Sequence, residues 1–299
     1  MSLPARFSDR YGPWALVAGA SDGIGEAFAH RLAGAGINVV LVARRAAVLA
    51  KLADELGRGY GVDARCVVAD LTSEAMMGEI RQATDDIEVG LLVYNAGAAH
   101  GAVHFLDRPA EAAIGMIALN CRGPVLLAHH FGKLMRERRR GGIMLLSSMA
   151  AMSGGSYIAV YNATKSFDMV LAEGLWHELN PVGVDAMCLV VGATLTPSML
   201  ASRETFRSYP NIMQPLDVVD EGLEFLGRGP LWIAGDHNRA MVAAMRPGSR
   251  VDAINDLSHA TFVIDADGEI THTQHMQVEE SRGNLRFGLR KPVDEGRLE

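Results

Sequence analysis

Six short, almost continuously apolar runs alternate with helical stretches along this chain, and that alternation leaves few folds open. The runs are Trp14 to Ala18, Val39 to Ala43, Ala64 to Ala69, Leu91 to Tyr94, Ile143 to Leu146 and Asp185 to Val191. Between them, Glu26 to Ala35, a stretch to about Leu56, Ser73 to Thr84, Glu111 to Arg138 and Tyr161 to Leu179 read as helices. A strand that is apolar on both sides is covered on both faces. Strand and helix in alternation mean βαβ units, parallel pairing and right-handed crossovers. The predicted fold class is therefore α/β, with a three-layer α/β/α domain around a parallel sheet.

The periodicity fails from Thr194 to about Gln214, where a mobile loop with a short helix is expected. Asp217 to Leu226 reads as a helix and Leu231 to Ala234 as a last strand. The chain changes character beyond Pro247. Thr261 to Ile264, a turn at Asp265 to Gly268, and Glu269 to Val278 read as strand, turn, strand, with a polar tail after them. The predicted division is a catalytic domain over 1–247 and a C-terminal extension over 248–299.

Charge excludes one class of partner. A formal net charge of -7 argues against nucleic acid, whose phosphates need neutralising. The cysteines Cys66, Cys121 and Cys188 are far apart, and no CxxC pair exists, so a reducing, cytoplasmic setting is expected. Cys66 and Cys188 lie in apolar runs and read as small buried hydrophobes. The N-terminus lacks the apolar core of a signal peptide, and no run reads as a membrane span. His272 and His275 invite a metal reading, but neighbours three apart in a strand point to opposite faces, so no metal is expected.

Gly19, Gly23 and Gly25 lie between the first strand and the first helix. Glycines there permit a tight turn and a close approach of backbone to a pyrophosphate. The helix N-terminus then offers unpaired N–H groups and the positive end of its dipole. The spacing is G-x-x-x-G-x-G, different from the G-x-G-x-x-G fingerprint. The end of the second strand should face the adenosine ribose, where a carboxylate would accept from the 2′-hydroxyl. This chain has Arg44 and Arg45 instead. Guanidinium groups suit a 2′-phosphate, so NADP(H) is expected over NAD(H). Their alternative role is to cap and solvate the loop. Asp70 is placed either to accept from the adenine amino group or to cap the helix that follows. Asn95, Ala96 and Gly97 follow the fourth strand, where small residues let the chain pass close to a cofactor.

Tyr161 and Lys165 are four apart in a helix and share a face. A free phenol has a pKa of about 10. A nearby ammonium favours the phenolate, so the pair can exchange a proton with an alcohol or an alkoxide. Ser148, 13 residues before Tyr161, offers a hydroxyl to the same oxygen; Ser147 competes, and strand alternation lets only one of them face the site. Asn120 lies in the long helix four residues before Pro124, which has no N–H. Its carbonyl is thereby freed to hold a water on a proton path through Lys165, or the helix is simply kinked there. His100 and His104 are placed to approach a substrate, and His129 and His130 to pack against another subunit.

Taken together, the glycine turn at 18–25, Asp70-Leu71, Tyr94 to Gly97, Asn120, Ser147-Ser148 and Tyr161 with Lys165 resemble the short-chain dehydrogenase/reductase superfamily over roughly residues 10 to 245. The resemblance implies one Rossmann-type domain with a seven-stranded parallel sheet. It implies Asn120, Ser148, Tyr161 and Lys165 as a catalytic tetrad. It further implies a nicotinamide cofactor held by Gly19, Ser21, Asp22, Gly23, Ile24, Gly25, Arg44, Arg45, Asp70, Leu71, Asn95, Ala96, Gly97, Tyr161, Lys165, Gly192, Thr194 and Thr196. A small-molecule carbonyl or alcohol substrate and a homodimer or homotetramer follow from the same source. Two departures stand out: Ala18 replaces the family's frequent Thr, and Val191-Gly192 replaces Pro-Gly. Arg10 to Trp14 and Leu226 to Pro230 look like members related to ketoacyl and 17β-hydroxysteroid reductases, which points to a bulky, apolar ketone. The competing readings are an NADPH-binding regulator without turnover, and an epimerase or dehydratase using the same Tyr/Lys chemistry.

Overall fold

The computed structural model describes residues 6–98, 103–201 and 211–245, together with the strands 263–264, 270–272, 277–281 and 284–288. In chain order the elements are α1 (Phe7–Tyr11), β1 (Trp14–Ala18), α2 (Gly23–Gly34), β2 (Asn38–Ala43), α3 (Ala46–Tyr60), β3 (Ala64–Val68), α4 (Met76–Thr84) and β4 (Val89–Tyr94). They continue with α5 (Ala110–Ile117), α6 (Gly123–Arg138), β5 (Gly141–Ser148), α7 (Ala159–Leu179), β6 (Val184–Val191), α8 (Pro197–Ala201), α9 (Pro215–Phe225), β7 (Leu231–Ile233) and α10 (Asp236–Ala244).

Seven parallel strands form one sheet in the order β3-β2-β1-β4-β5-β6-β7. The order reverses between β1 and β4, which opens a crevice at the carboxyl ends of those strands. Helices cover both faces. In β1, Ala15 and Val17 join Phe28 and Leu32 of α2, Leu49 of α3 and Val218 of α9 in one core. Trp14, Leu16 and Ala18 of the same strand join Ile80 of α4, Leu127 and Phe131 of α6 and Ala172 of α7 in the other. The two-residue period of a strand thus feeds two separate cores, which is why the runs are apolar throughout.

The expected long helical stretch 111–138 is present as one continuous run, Ala110–Arg138, with an irregular turn inside it. Its two helices are joined by a π turn at Ala118–Arg122, with the Gly123 N–H on the Ala118 carbonyl. Pro124 has no N–H with which to close the ordinary ring onto Asn120, and a widened turn accommodates that gap. By length and composition the combined stretch Ala110–Arg138 is apolar enough to cross a membrane, with mean hydropathy 1.3 over its best window. Here it forms part of the layer over the sheet, burying Leu127, Phe131 and Met135.

Cys188 is buried, as expected of a central strand, but Cys66 is exposed. β3 is an edge strand, so an apolar run there does not guarantee cover on both faces. α1 and α10 carry no periodicity long enough to announce them. α1 is pinned instead by Asp185 at the start of β6, whose Oδ2 accepts from Arg10 Nε at 2.5 Å and from Tyr11 Oη at 2.7 Å. Burial and that carboxylate push the Tyr11 phenol well above its ordinary value. Asp185→Ala leaves the buried Tyr11 hydroxyl without its acceptor and is expected to destabilise the fold by about 2–4 kcal/mol, read as a lowered urea midpoint.

In the extension, β8 (Val263–Ile264) pairs antiparallel with β9 (Ile270–His272), close to the expected strand, turn, strand. Of the second expected strand, Glu269 and residues 273–276 lie outside the described residues. The stretch read as a polar tail contains a further antiparallel pair, β10 (Gln277–Ser281) with β11 (Asn284–Gly288). Leu285 and Phe287 alternate there with polar neighbours, a two-residue period hidden in a charged composition. The proposed boundary at 247, His275 and His100 lie outside the described residues.

Candidate active site

The carboxyl ends of β1, β4 and β5 deliver the candidate residues to one crevice. After β1, Gly19 turns with φ +83°, and α2 starts at Gly23. Asp22, at the cap position, makes no side-chain bond to the helix. The first N–H groups of a helix have no partner within it, so the turn suits a pyrophosphate. The glycines are tightly placed. A Cβ on Gly25 would lie 2.0 Å from the Gly19 carbonyl, and one on Gly19 2.8 Å from the Ala96 backbone. Ile24 packs on the core beneath the turn.

Arg45 braces this turn. Its Nη2 donates to the Ser21 carbonyl at 2.7 Å and to Ser21 Oγ at 3.0 Å, and it pairs with Asp22 at 3.4 Å. Arg45 is thereby committed to Ser21 and Asp22, while Arg44, exposed like Arg45, directly follows β2. Asp70 Oδ1 accepts from the Thr72 N–H at 2.9 Å and the Thr72 hydroxyl at 2.8 Å. Those two bonds, and then Arg44, hold its carboxyl below its ordinary range. Asp70 caps a turn, since α4 begins only at Met76; Leu71 is buried in the core. Asn95 does more than stay small: its Nδ2 donates to the Gly19 carbonyl at 3.0 Å and ties the end of β4 to the glycine turn.

Strand alternation separates the two serines. Ser147 is buried and donates to the Lys165 carbonyl at 2.6 Å, fastening β5 to α7. Ser148 is only half-buried, and its Oγ accepts from the Ala150 N–H at 3.2 Å. Its own proton remains available to a substrate oxygen. Asn120 is fully buried in the π turn. Its side-chain amide both accepts from and donates to the backbone of Ala98, at 3.2 Å each, and donates to Thr164 Oγ1 at 3.0 Å. The side chain of Asn120 therefore stitches α7 to the segment after β4 that carries Gly97 and Ala98.

Tyr161 stands in the first turns of α7 and lines a cavity walled by Val103, Phe105, Leu106, Met116 and Ile158. His104 lies in the same wall, its ring 4.3 Å from that of Tyr157. One turn on, Lys165 is buried. Its Nζ donates to the Leu146 carbonyl at 2.7 Å and to Asp168 Oδ2 at 3.1 Å. A Cβ added to Gly97 would sit 3.1 Å from that Nζ, so glycine leaves the ammonium its space. Sequence reasoning passes over Asp168, because an Asp seven residues after the tyrosine belongs to no motif; its place on the same helical stripe was the available signal.

At the far end, Thr194 is buried and donates to the Gly192 carbonyl at 3.1 Å, while Thr196 Oγ1 accepts from the Met199 N–H at 3.1 Å as α8 begins. The Thr196 methyl meets the space a Gly23 side chain would fill, so loop and glycine turn are in contact. The short helix expected in this loop is α8; residues 202–210 lie outside the described set. Among the described residues no group of three or more His, Cys, Asp or Glu could hold a metal.

Comparison with known proteins agrees with this arrangement. Residues 13–206 match the family described as short chain dehydrogenase. A 7beta-hydroxysteroid dehydrogenase of Mediterraneibacter gnavus is 33% identical over 238 residues, covering 78% of this chain and 90% of that protein. The 17-beta-hydroxysteroid dehydrogenase type 3 of Mus musculus is 31% identical over 76% of this chain and 75% of its own length. Among solved structures, a 7beta-hydroxysteroid dehydrogenase superposes with a TM-score of 0.79 at 29% identity, over 84% of this chain and 98% of that one. A short-chain dehydrogenase from Sphingobium yanoikuyae in complex with NADPH gives 0.70 at 28% identity, over 80% and 98%. The expected likeness to ketoacyl and 17β-hydroxysteroid reductases holds. With the seven-stranded sheet, the glycine turn and these relatives in agreement, the chain belongs to the short-chain dehydrogenase family of oxidoreductases, which use a nicotinamide cofactor.

Proposed function

We propose that this chain is an NADP(H)-dependent oxidoreductase that interconverts a ketone and a secondary alcohol on a bulky, apolar molecule, with Tyr161 exchanging the proton. The observation that carries this reading is Tyr161 at the wall of an apolar cavity, one helical turn from a buried ammonium. The cofactor, when bound, supplies or accepts the hydride. In the reducing direction the Tyr161 hydroxyl donates its proton to the oxygen of the carbonyl as charge builds there. The Ser148 hydroxyl donates a hydrogen bond to the same oxygen. The Lys165 ammonium favours the phenolate left behind. Asn120 ties α7 to the segment after β4 that carries Gly97. Gly19, Gly23 and Gly25 would take the pyrophosphate, and Gly192, Thr194 and Thr196 would line the nicotinamide end.

The apolar cavity wall and the hydroxysteroid relatives support a polycyclic ketone or alcohol as substrate class. The test follows NADPH absorbance with a panel of oxosteroids, long-chain ketones and small ketones. Oxosteroids are expected to give the highest kcat/KM; turnover confined to small ketones would refute the substrate class.

Arg44 supports NADP over NAD. Arg44→Asp is expected to lower kcat/KM with NADPH about 10–100-fold, the worth of a charge-assisted bond to phosphate, and to spare NADH. A tenfold preference of the unaltered chain for NADH would refute the assignment. Ile114, Ile117, Val125 and Val170 are exposed on α5, α6 and α7 and favour a homodimer or homotetramer, which light scattering measures. The described cysteines are unpaired, in keeping with a cytoplasmic enzyme. We take 1–247 as its catalytic domain and 248–299 as an extension.

A further inference from the structure

Behind Lys165 lies a buried carboxylate that the proton exchange above does not use. Asp168 is 2% exposed. Its Oδ2 receives the Lys165 ammonium at 3.1 Å, and its Oδ1 is buried without a hydrogen-bond partner among the described residues. The ammonium is turned toward β5 by the same contact set, its other bond going to the Leu146 carbonyl. Tyr161, Lys165 and Asp168 follow one another on one stripe of α7 at steps of four and three.

Among the described residues, three further titratable groups that feel the Asp168 charge stay neutral near neutral pH: Tyr94 of β4, Cys121 of the π turn and Cys188 of β6. Burial pushes Tyr94 and Cys188 well above their ordinary values and Cys121 up to about 11. β5 offers only the Leu146 carbonyl and Ser147. Glu173, farther along α7, acts on Cys188. Burial also pushes Asp168 itself up to about 6, against the pull of Lys165, so above that pH the carboxylate is charged. Asp168 and Lys165 are thus the matched charges of this pocket among the described residues.

We propose that Asp168 is a positioning residue for the reaction, holding the Lys165 ammonium against β5 and setting the pH at which the Tyr161–Lys165 pair gives up its first proton. The proposal rests on the reading of Tyr161 as the acid/base. With Asp168 charged, losing a proton from the pair leaves a net negative charge in a buried place. Without it, the same loss leaves none. The two groups titrate as a unit, so the direction holds whichever of them releases the proton. Removing the carboxylate therefore makes the pair more acidic.

The experiment is the pH dependence of kcat/KM for alcohol oxidation in the unaltered enzyme and in Asp168→Asn. The acid limb is expected to move down by about one pH unit, the scale of one close charge. A second readout needs no substrate: phenolate absorbance is titrated in both proteins, each against its own Tyr161→Phe counterpart. The Tyr161 transition is expected to shift the same way. An unmoved or raised acid limb, or a uniform fall in kcat at unchanged pH dependence, overturns the proposal and leaves Asp168 a packing role. Should no alcohol be oxidised at all, the reading of the site fails, while the absorbance titration still decides the fate of Asp168. If Asp168→Asn does not accumulate as folded protein, Asp168→Ala makes the same charge change and is put to the same two tests.

Discussion

Tyr161→Phe is expected to lower kcat/KM about 10²- to 10⁴-fold while NADPH affinity is unchanged, because the substitution removes only the hydroxyl that exchanges the proton. The ring stays, and with it the cavity wall shared with Ile158 and Met116. The lost factor should appear in kcat, since the missing proton donor acts in the transition state and not in the bound ground state. NADPH fluorescence titration and steady-state rates measure the two quantities separately. Unchanged turnover would take Tyr161 out of the reaction and leave the short-chain dehydrogenase fold without its proposed chemistry. Loss of NADPH binding together with activity would instead assign the hydroxyl to holding the cofactor.

Gly25→Ala is expected to weaken NADPH binding about 100-fold, the penalty for misplacing binding groups by about an ångström, and to destabilise the fold by about 1–3 kcal/mol through overpacking. The added methyl would lie 2.0 Å from the Gly19 carbonyl and 2.7 Å from Asn95 Nδ2. Both are fixed: Gly19 and Asn95 are bonded to each other, and the Asn95 N–H is bonded to the Ala18 carbonyl. Helix α2 must therefore lift away from β1, and its first N–H groups with it. Gly78→Ala is the control. It too lies in a helix, has nothing within 4 Å, and should keep full affinity with a gain of about 0.5–1 kcal/mol from helix propensity. Calorimetry and thermal unfolding of the two variants check the pair. Equal affinity in both would show that the glycine turn does not hold the phosphates.

Much of this arrangement was legible without coordinates, and particular residues show why. Val39 to Ala43 and Leu91 to Tyr94 are apolar in succession, and only a sheet covered on both faces hides every side chain of such a run. Tyr161 and Lys165 share a helix face because the helical period dictates it. The choice of Ser148 rests on the family resemblance; strand alternation says that only one of Ser147 and Ser148 faces the site, because adjacent strand residues point apart. The same logic misled at Cys66, whose run is apolar but whose strand lies at the sheet edge. Pro124 announced an irregularity near Asn120, but not that a whole turn, 118–122, would widen into a π turn.

Local sequence, then, determined the element types, the parallel sheet, the glycine turn and the tyrosine–lysine pair, because each follows from periodicity or from conformational demands within a few residues. Tertiary structure alone decided what those groups touch. Asn95 on the Gly19 carbonyl, Asn120 on Thr164, Asp185 on Tyr11 and the Lys165 ammonium on Leu146 join residues 19 to 174 positions apart. Even Asp168, three residues from Lys165, became a buried counter-ion only when α7 packed against β5 and β6 and the water that would otherwise have screened both charges was removed.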